Sequence, residues 1–264
     1  DLVRRGEHKV NRYVGELYFT CHRGTYTTQS RTKRGNRKCE LALRETELWG
    51  VVAAATAGFK YPLARMDAAW KKVLLLQFHD ILPGSSIQRV YEEAEACHAE
   101  VLKSVAEAGA AARGRLVRRK AGSLTVFNSL GWTRRALVAL PNGFKNPCDG
   151  RGLPLETQKI GSKTYAEVAV PSCGYTTIGA GASRRAQSPV PVVTATPGLL
   201  ENELLRVEFD AAGGITRIFD KEAGREVSAG PCNRLKLFKD VPSMFDAWDI
   251  DSQHFLKKYK FKYN

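Results

Sequence analysis

The first half of the chain repeats apolar residues at intervals of three and four positions, which is the spacing of one face of an α-helix. The pattern predicts one helix from about Asn36 to Gly58, a second that begins at Pro62, and a third from Ser86 to about Gly109 or slightly beyond. The apolar face of the first helix is predicted to carry Leu41, Leu48, Trp49, Val52 and Ala55. Short connections between amphipathic helices indicate a helix bundle.

The pattern changes after the stretch of arginines and glycines from Arg113 to Gly122. Apolar residues then alternate with polar ones in short runs, which are separated by proline, glycine and asparagine and indicate β-strands. The predicted strands are Ser123–Asn128, Ala136–Leu140, Tyr165–Val170, Tyr175–Gly179, Leu204–Asp210 and Ile215–Asp220. The last two flank Ala-Ala-Gly-Gly, a hairpin signal. The predicted fold class is α+β: a three-helix bundle followed by an antiparallel, sandwich-like β domain that is incomplete.

His79 and Asp80 lie between the second and third helical patterns. A proline and a glycine follow and interrupt the helix, and Ser85 or Ser86 is positioned to cap the next one. An imidazole beside a carboxylate at a fixed junction can bind a metal, transfer a proton or hold a hydroxyl group. A lone histidine is more often structural, and zinc sites need three or four ligands. The pair alone therefore leaves these roles open.

The chain carries a net charge of +14, concentrated in basic clusters at Arg31–Lys38, Arg113–Lys120 and Lys257–Lys262. The first two flank or end helical patterns, where we expect them to be solvated faces, and no nucleic-acid motif accompanies them, so we expect no nucleic-acid partner. The six cysteines include no CxxC pair, which argues against a zinc ribbon and indicates reduced thiols, although Cys148 and Cys173 could form a disulfide if the protein is secreted. No apolar run is long enough to span a membrane, so we expect no membrane partner.

The segment QFHDILPGSSI, followed by VYEEA, resembles the α-mannosidases of glycoside hydrolase family 38. Upstream, GELYFTCHRGTYTTQSRTKRGNRKCELALRETELW resembles the preceding segment in the bacterial and cytosolic or vacuolar type of that family. Downstream, LTVFNSLGW, ENELLRVEFDAAGGITRIFDKEAGREV and DAWDID resemble the family's C-terminal β region. The matches follow the family's order and cover most of the chain.

The resemblance implies a retaining, zinc-dependent hydrolase that removes terminal α-mannosyl residues from oligosaccharides. His79 matches the histidine that the family's helical domain contributes to the zinc ion, and Asp80 matches a carboxylate that accepts hydrogen bonds from mannose hydroxyls. Arg23 and Tyr26 lie in a polar loop that the resemblance places near the active site, so we expect them to bind substrate. Mannose-containing oligosaccharides are the expected partners.

In the family, the nucleophile, the acid/base and the other zinc ligands precede the point that corresponds to Asp1. We therefore predict no catalytic carboxylate in this chain and expect it to be inactive alone. The acidic residues after the junction and around Trp248 are spaced within one helical turn or strand, which is typical of surface carboxylates. They are Glu92, Glu93, Glu95, Asp246, Asp249 and Asp251.

The resemblance also implies a domain division and a setting. Residues 1–35 are expected to end the catalytic region with an active-site loop, residues 36–120 to form the helical middle domain, and residues 121–264 to begin a truncated C-terminal β domain. A homo-oligomer of the full-length enzyme is compatible with the family, and the cytoplasm or vacuole is the favoured compartment. Two alternatives stay open: a non-catalytic carbohydrate-binding or scaffolding module, and a basic protein that binds polyanions.

Overall fold

The structure is a computed structural model that describes residues 4–6, 14, 22–118, 120–181, 193–238 and 244–250. Its backbone divides into two compact units. The described residues up to Arg118, with those from Phe238 onwards, form the first unit, and those from Lys120 to Leu237 form the second. The basic cluster at Lys257–Lys262 lies outside the described residues.

The first unit contains a short 3-10 turn and a helix bundle. Their bounds are Arg23–Tyr26 for the turn, Ser30–Ala57 for α1, Leu63–Leu76 for α2 and Gln88–Leu116 for α3. The helix α1 begins earlier than the predicted Asn36, because Gln29 takes a left-handed conformation with φ 49° and separates the turn from the helix. Gly58, with φ 61°, ends α1 as predicted.

The core of the bundle lies where α1 and α3 pack together and α2 covers them. Its buried members are Cys39, Leu43, Met66, Ala69, Val73, Val101 and Val105. The predicted face of α1 is partly wrong, because Trp49 is buried but Leu41 and Ala55 are exposed. The true inner face also carries Thr32, Asn36 and other small or polar residues, so apolar spacing alone does not mark it.

The second unit is built from short antiparallel strands. They are β1 Ser123–Asn128, β2 Arg134–Ala139, β3 Pro147–Cys148, β4 Thr157–Ile160, β5 Lys163–Val170, β6 Gly174–Ala180, β7 Thr194–Thr196, β8 Leu199–Glu201, β9 Leu205–Phe209, β10 Ile215–Asp220 and β11 Arg225–Glu226. The described strands form sheets in the orders β1-β6-β3, β2-β5-β4 and β11-β10-β9-β8-β7. The predicted hairpin is confirmed, because β9 and β10 pair antiparallel across Asp210–Gly214.

The β unit has its own core of Leu140, Ala166, Val168, Val170 and Ile178. Cys148 and Cys173 are both free thiols in this unit. Three helices followed by antiparallel sheets confirm the predicted α+β class. Among the described residues, no helix combines the length and the apolar character that crossing a membrane requires.

Candidate functional site

His79 and Asp80 lie in the connection between α2 and α3, which we call the α2–α3 junction (residues 77–86). The carbonyl oxygen of Phe78 accepts hydrogen bonds from the amides of Ile81 at 2.9 Å and Leu82 at 3.1 Å, so the pair sits on a tight turn. The imidazole Nε2 of His79 lies 3.3 Å from Oδ2 of Asp80, and the two side chains are 75% and 39% exposed. Both groups are therefore accessible to a ligand.

Hydrogen bonds inside the junction orient Asp80. The hydroxyl of Ser85 donates to Oδ1 of Asp80 at 2.9 Å, and the amide of Ser85 donates to the Asp80 carbonyl at 3.1 Å. The hydroxyl of Ser86 donates to the same carbonyl at 2.8 Å. The predicted capping of α3 by one of these serines is wrong, because Ile87 occupies the N-cap and makes no side-chain cap bond. The compact turn brings the acceptors of Asp80 within reach of both hydroxyls.

Contacts with α1 and the residues before it anchor the junction at both ends. At its start, the side-chain amide of Gln77 donates to Asn36 Oδ1 at 3.0 Å and to Glu40 Oε1 at 2.9 Å. Near its end, a Cβ added to Gly84 would lie 2.5 Å from Cγ2 of Thr28, and φ at Gly84 is 99°. Only glycine fits this close approach without strain. The His-Asp pair is therefore held on a fixed support.

Arg23 and Tyr26 lie on the exposed surface of the 3-10 turn. The turn packs against the 244–250 segment, because the amide of Gly24 donates to the Trp248 carbonyl at 3.0 Å. The rings of His22 and Trp248 meet edge to face with centroids 5.3 Å apart. The sequence analysis gives Trp248 no role. Its contacts with His22 and Gly24 join residues far apart in the chain, and no local sequence pattern indicates them.

The turn with Arg23 and Tyr26 leads through Thr28, which touches Gly84, so the structure brings the predicted substrate-binding turn next to the α2–α3 junction. A polar cleft of about 530 Å³ lies nearby, between the first turns of α1 and α3. Its lining side chains carry hydroxyl, amide, guanidinium and carboxylate groups from Thr27, Gln29, Ser30, Arg31, Gln88, Tyr91, Glu92 and Glu95.

The acidic residues expected to be surface carboxylates have different surroundings. Glu92, Glu93 and Asp246 are exposed, whereas Glu95 and Asp249 are partly buried. The carboxylate of Asp249 accepts a bond from the following backbone amide at 2.8 Å. Asp251 lies outside the described residues.

The donors around His79 fit part of a zinc site. An exposed imidazole is a preferred zinc ligand, and a neighbouring carboxylate is compatible with one. Within the described ranges, however, no group of three or more histidine, cysteine, aspartate or glutamate side chains is arranged to hold a metal ion. The His79–Asp80 pair therefore does not by itself make up the three or four ligands of a zinc site.

Comparison with protein families identifies the two parts of this chain. Residues 20–116 match the alpha mannosidase middle domain, and residues 200–262 match the glycosyl hydrolases family 38 C-terminal domain. The first match contains the α2–α3 junction and the second contains β9 and β10. The chain belongs to glycoside hydrolase family 38.

Individual relatives agree along nearly the whole chain. Alpha-mannosidase 2C1 of Homo sapiens is 38% identical over 256 residues, which cover 92% of this chain and 23% of that protein. Alpha-mannosidase G of Dictyostelium discoideum is 30% identical over 287 residues, which cover 91% of this chain and 26% of that protein. The chain thus spans about a quarter of the length of these relatives.

The fold agrees with a solved structure of an alpha-mannosidase from Enterococcus faecalis V583. The TM-score is 0.60 at 16% sequence identity, with 77% of this chain and 29% of that chain covered. At this identity the likeness concerns the fold alone.

Proposed function

We propose that this chain forms one wall of the active site of a zinc-dependent, retaining α-mannosidase that removes terminal α-mannosyl residues from oligosaccharides. The observation that carries the proposal is the exposed His79–Asp80 pair, held on an anchored junction inside the segment that matches the α-mannosidase middle domain. The similarity to proteins named α-mannosidases along nearly the whole chain supports the substrate class.

In this proposal His79 supplies one imidazole ligand to zinc, and the bound ion supplies a positive charge that orients sugar hydroxyls. Asp80 holds the substrate directly. One of its oxygens already accepts a bond from Ser85, so the other oxygen, on the side of His79, is the one offered to a mannose hydroxyl. A hydrogen bond to a carboxylate is stronger than one between neutral groups. Arg23 and Tyr26 provide further sugar contacts from the neighbouring turn.

Retaining hydrolysis needs a nucleophilic carboxylate and a second carboxyl group as acid/base. We propose that both groups, with the remaining zinc ligands, belong to the portion of the relatives that this chain does not span. The chain alone should then bind zinc weakly and hydrolyse nothing, because one imidazole and one carboxylate complete neither a zinc site nor a catalytic pair.

The experiment that tests the role of Asp80 uses the full-length protein and an aryl α-mannoside. Asp80→Asn removes the negative charge but keeps the shape, so kcat/KM should fall by about 10- to 100-fold, the loss expected for one hydrogen bond to a charged group. Asp67→Asn is the matched control, because Asp67 is an exposed carboxylate on α2 that pairs with Lys71 across one helical turn. Equal kcat/KM values for the two variants would contradict the assignment.

The claim about the chain alone has its own test. The purified 264-residue chain is incubated with zinc and the aryl α-mannoside, beside a His79→Ala variant. We expect no turnover from either. Zinc-dependent turnover that the substitution abolishes would show that a complete site lies within these residues. Mannoside binding by the full-length protein without turnover would instead favour a carbohydrate-binding module.

A further inference from the structure

Lys33 lies in the first turn of α1, yet its ammonium group contacts the α2–α3 junction. Its Nζ donates to the carbonyl oxygens of Thr28 at 2.6 Å, Leu82 at 2.9 Å and Pro83 at 3.0 Å. An ammonium group has three N–H donors, so these bonds use all of them. Lysines on helix surfaces usually keep the ammonium in water. This one has exchanged water for three backbone acceptors.

The three carbonyls belong to two separate segments. Thr28 follows the turn that carries Arg23 and Tyr26, and the other two carbonyls belong to the junction just after Asp80. Partial burial lowers the pKa of Lys33, as expected for an ammonium partly withdrawn from water. Lys33 therefore ties the predicted substrate-binding turn to the junction with one side chain.

The path from Lys33 to the candidate site runs through Ser85. The bonds of Lys33 hold the backbone immediately before Gly84, and Ser85 follows. The hydroxyl of Ser85 donates to Oδ1 of Asp80 at 2.9 Å, which leaves Oδ2 turned towards His79 at 3.3 Å. Bonds to the backbone on one side of Ser85 thus restrict where its hydroxyl can lie.

We propose that Lys33 is a positioning residue of the site: it fixes the junction so that Ser85 orients the Asp80 carboxylate for substrate. The role in catalysis rests on the proposed function, whereas the three hydrogen bonds by which Lys33 holds the turn and the junction together do not. Because Lys33 acts through other residues, its removal keeps every proposed sugar-contacting group and changes only how firmly the junction and the neighbouring turn are held.

The first test measures the tie without any activity. Amide hydrogen exchange is compared in Lys33→Met and Lys38→Met variants of the 264-residue chain; Lys38 is an exposed lysine on the same helix. The Ser85 amide, bonded to the Asp80 carbonyl, should exchange at least about tenfold faster in Lys33→Met only. The amide of Val73, in the core of α2, should be unchanged. The proposal would be overturned if the Ser85 amide exchanged at the same rate in both variants, or if exchange at Val73 rose as much as at Ser85 in Lys33→Met.

The second test measures coupling in the full-length enzyme. Lys33→Met and Ser85→Ala should each lower kcat/KM for an aryl α-mannoside by about 10- to 100-fold relative to Lys38→Met, with unchanged zinc content, because misplacing a substrate-holding group by about 1 Å has effects of that size. The effects of substituting residues that act in series are not additive. The kcat/KM of the double variant should therefore lie only slightly below that of the less active single variant. Losses that multiply would overturn the path through Ser85.

These outcomes separate the two proposals. A wild-type full-length protein without α-mannosidase activity would contradict the proposed function, while hydrogen exchange would still decide whether Lys33 holds the junction. An active wild-type enzyme whose Lys33→Met and Lys38→Met variants share one kcat/KM would overturn the positioning role alone.

Discussion

The substitution Gly35→Ala tests how closely α1 packs against α3. In a free helix it should stabilise, because glycine costs about 1 kcal/mol relative to alanine. In this protein the added Cβ would lie 2.5 Å from Nδ1 and 2.8 Å from Cγ of His98. The His98 side chain belongs to a residue that is only 3% exposed, so the ring has no open space to move into. Overpacking costs about 1–3 kcal/mol, so after the helix gain of about 1 kcal/mol we expect a net loss of up to about 2 kcal/mol.

The assay is denaturant unfolding followed by far-UV circular dichroism, which reports mainly on the helices of the first unit. Gly114→Ala is the matched control, since Gly114 lies on α3 and an added Cβ would meet nothing within 4 Å. That variant should gain up to about 1 kcal/mol. In a His98→Ala background, Gly35→Ala should also become stabilising, because the clash is gone. Equal gains from Gly35→Ala and Gly114→Ala in the native background would refute the packing described for this pair of helices.

Three further predictions concern stability. Burial lowers the pKa of His98 from its ordinary value of 6.5, so the unfolded chain binds a proton more readily than the folded one. The contribution of neutral His98 to the free energy of unfolding should be complete above about pH 6.5 and be lost as the pH falls through the folded pKa. A His98→Gln chain should lose less unfolding free energy in the same acid titration. Leu43→Ala should lower the free energy of unfolding in denaturant by about 2–5 kcal/mol, because Leu43 is 0% exposed. The same change at Leu41, which is 41% exposed, should cost about 0.5 kcal/mol or less. Similar losses at the two positions would contradict the described core of the bundle. Asn128→Ala should destabilise the β unit by about 1–3 kcal/mol, since the Asn128 amide bonds the carbonyls of Trp132 and Pro171, while the exposed Asn142→Ala should be near neutral in thermal unfolding.

Much of the fold follows from local patterns. The predicted strand Ser123–Asn128 and the predicted strand Ile215–Asp220 have the observed bounds, because alternation and turn residues are local signals. The sequence predicts that the third helix ends at about Gly109 or slightly beyond, and α3 continues to Leu116. Gly109 is a packing position and not a stop: an added Cβ would lie 2.8 Å from Oγ1 of Thr46 on α1.

The site was less predictable than the fold. The sequence motif around His79 predicts the location of the site, but the role of Ser85 depends on how the turn folds back onto Asp80. Lys33 belongs to a basic cluster expected to be a solvated face, and its neighbours Arg34 and Lys38 are exposed as that expectation requires. Only tertiary contact with carbonyls of the junction distinguishes Lys33 from them. Bonds between residues so far apart in the chain leave no local pattern in one sequence.

The most direct test of the central claim is the zinc content and turnover of the full-length protein carrying His79→Ala. Asp67→Asn serves as the control for a surface substitution on the same helical unit. We expect His79→Ala to lower zinc content and α-mannosidase activity together, because it removes a ligand nitrogen, while the control keeps both. Wild-type zinc content with near-normal turnover in His79→Ala would contradict the claim that this junction supplies a wall of the active site.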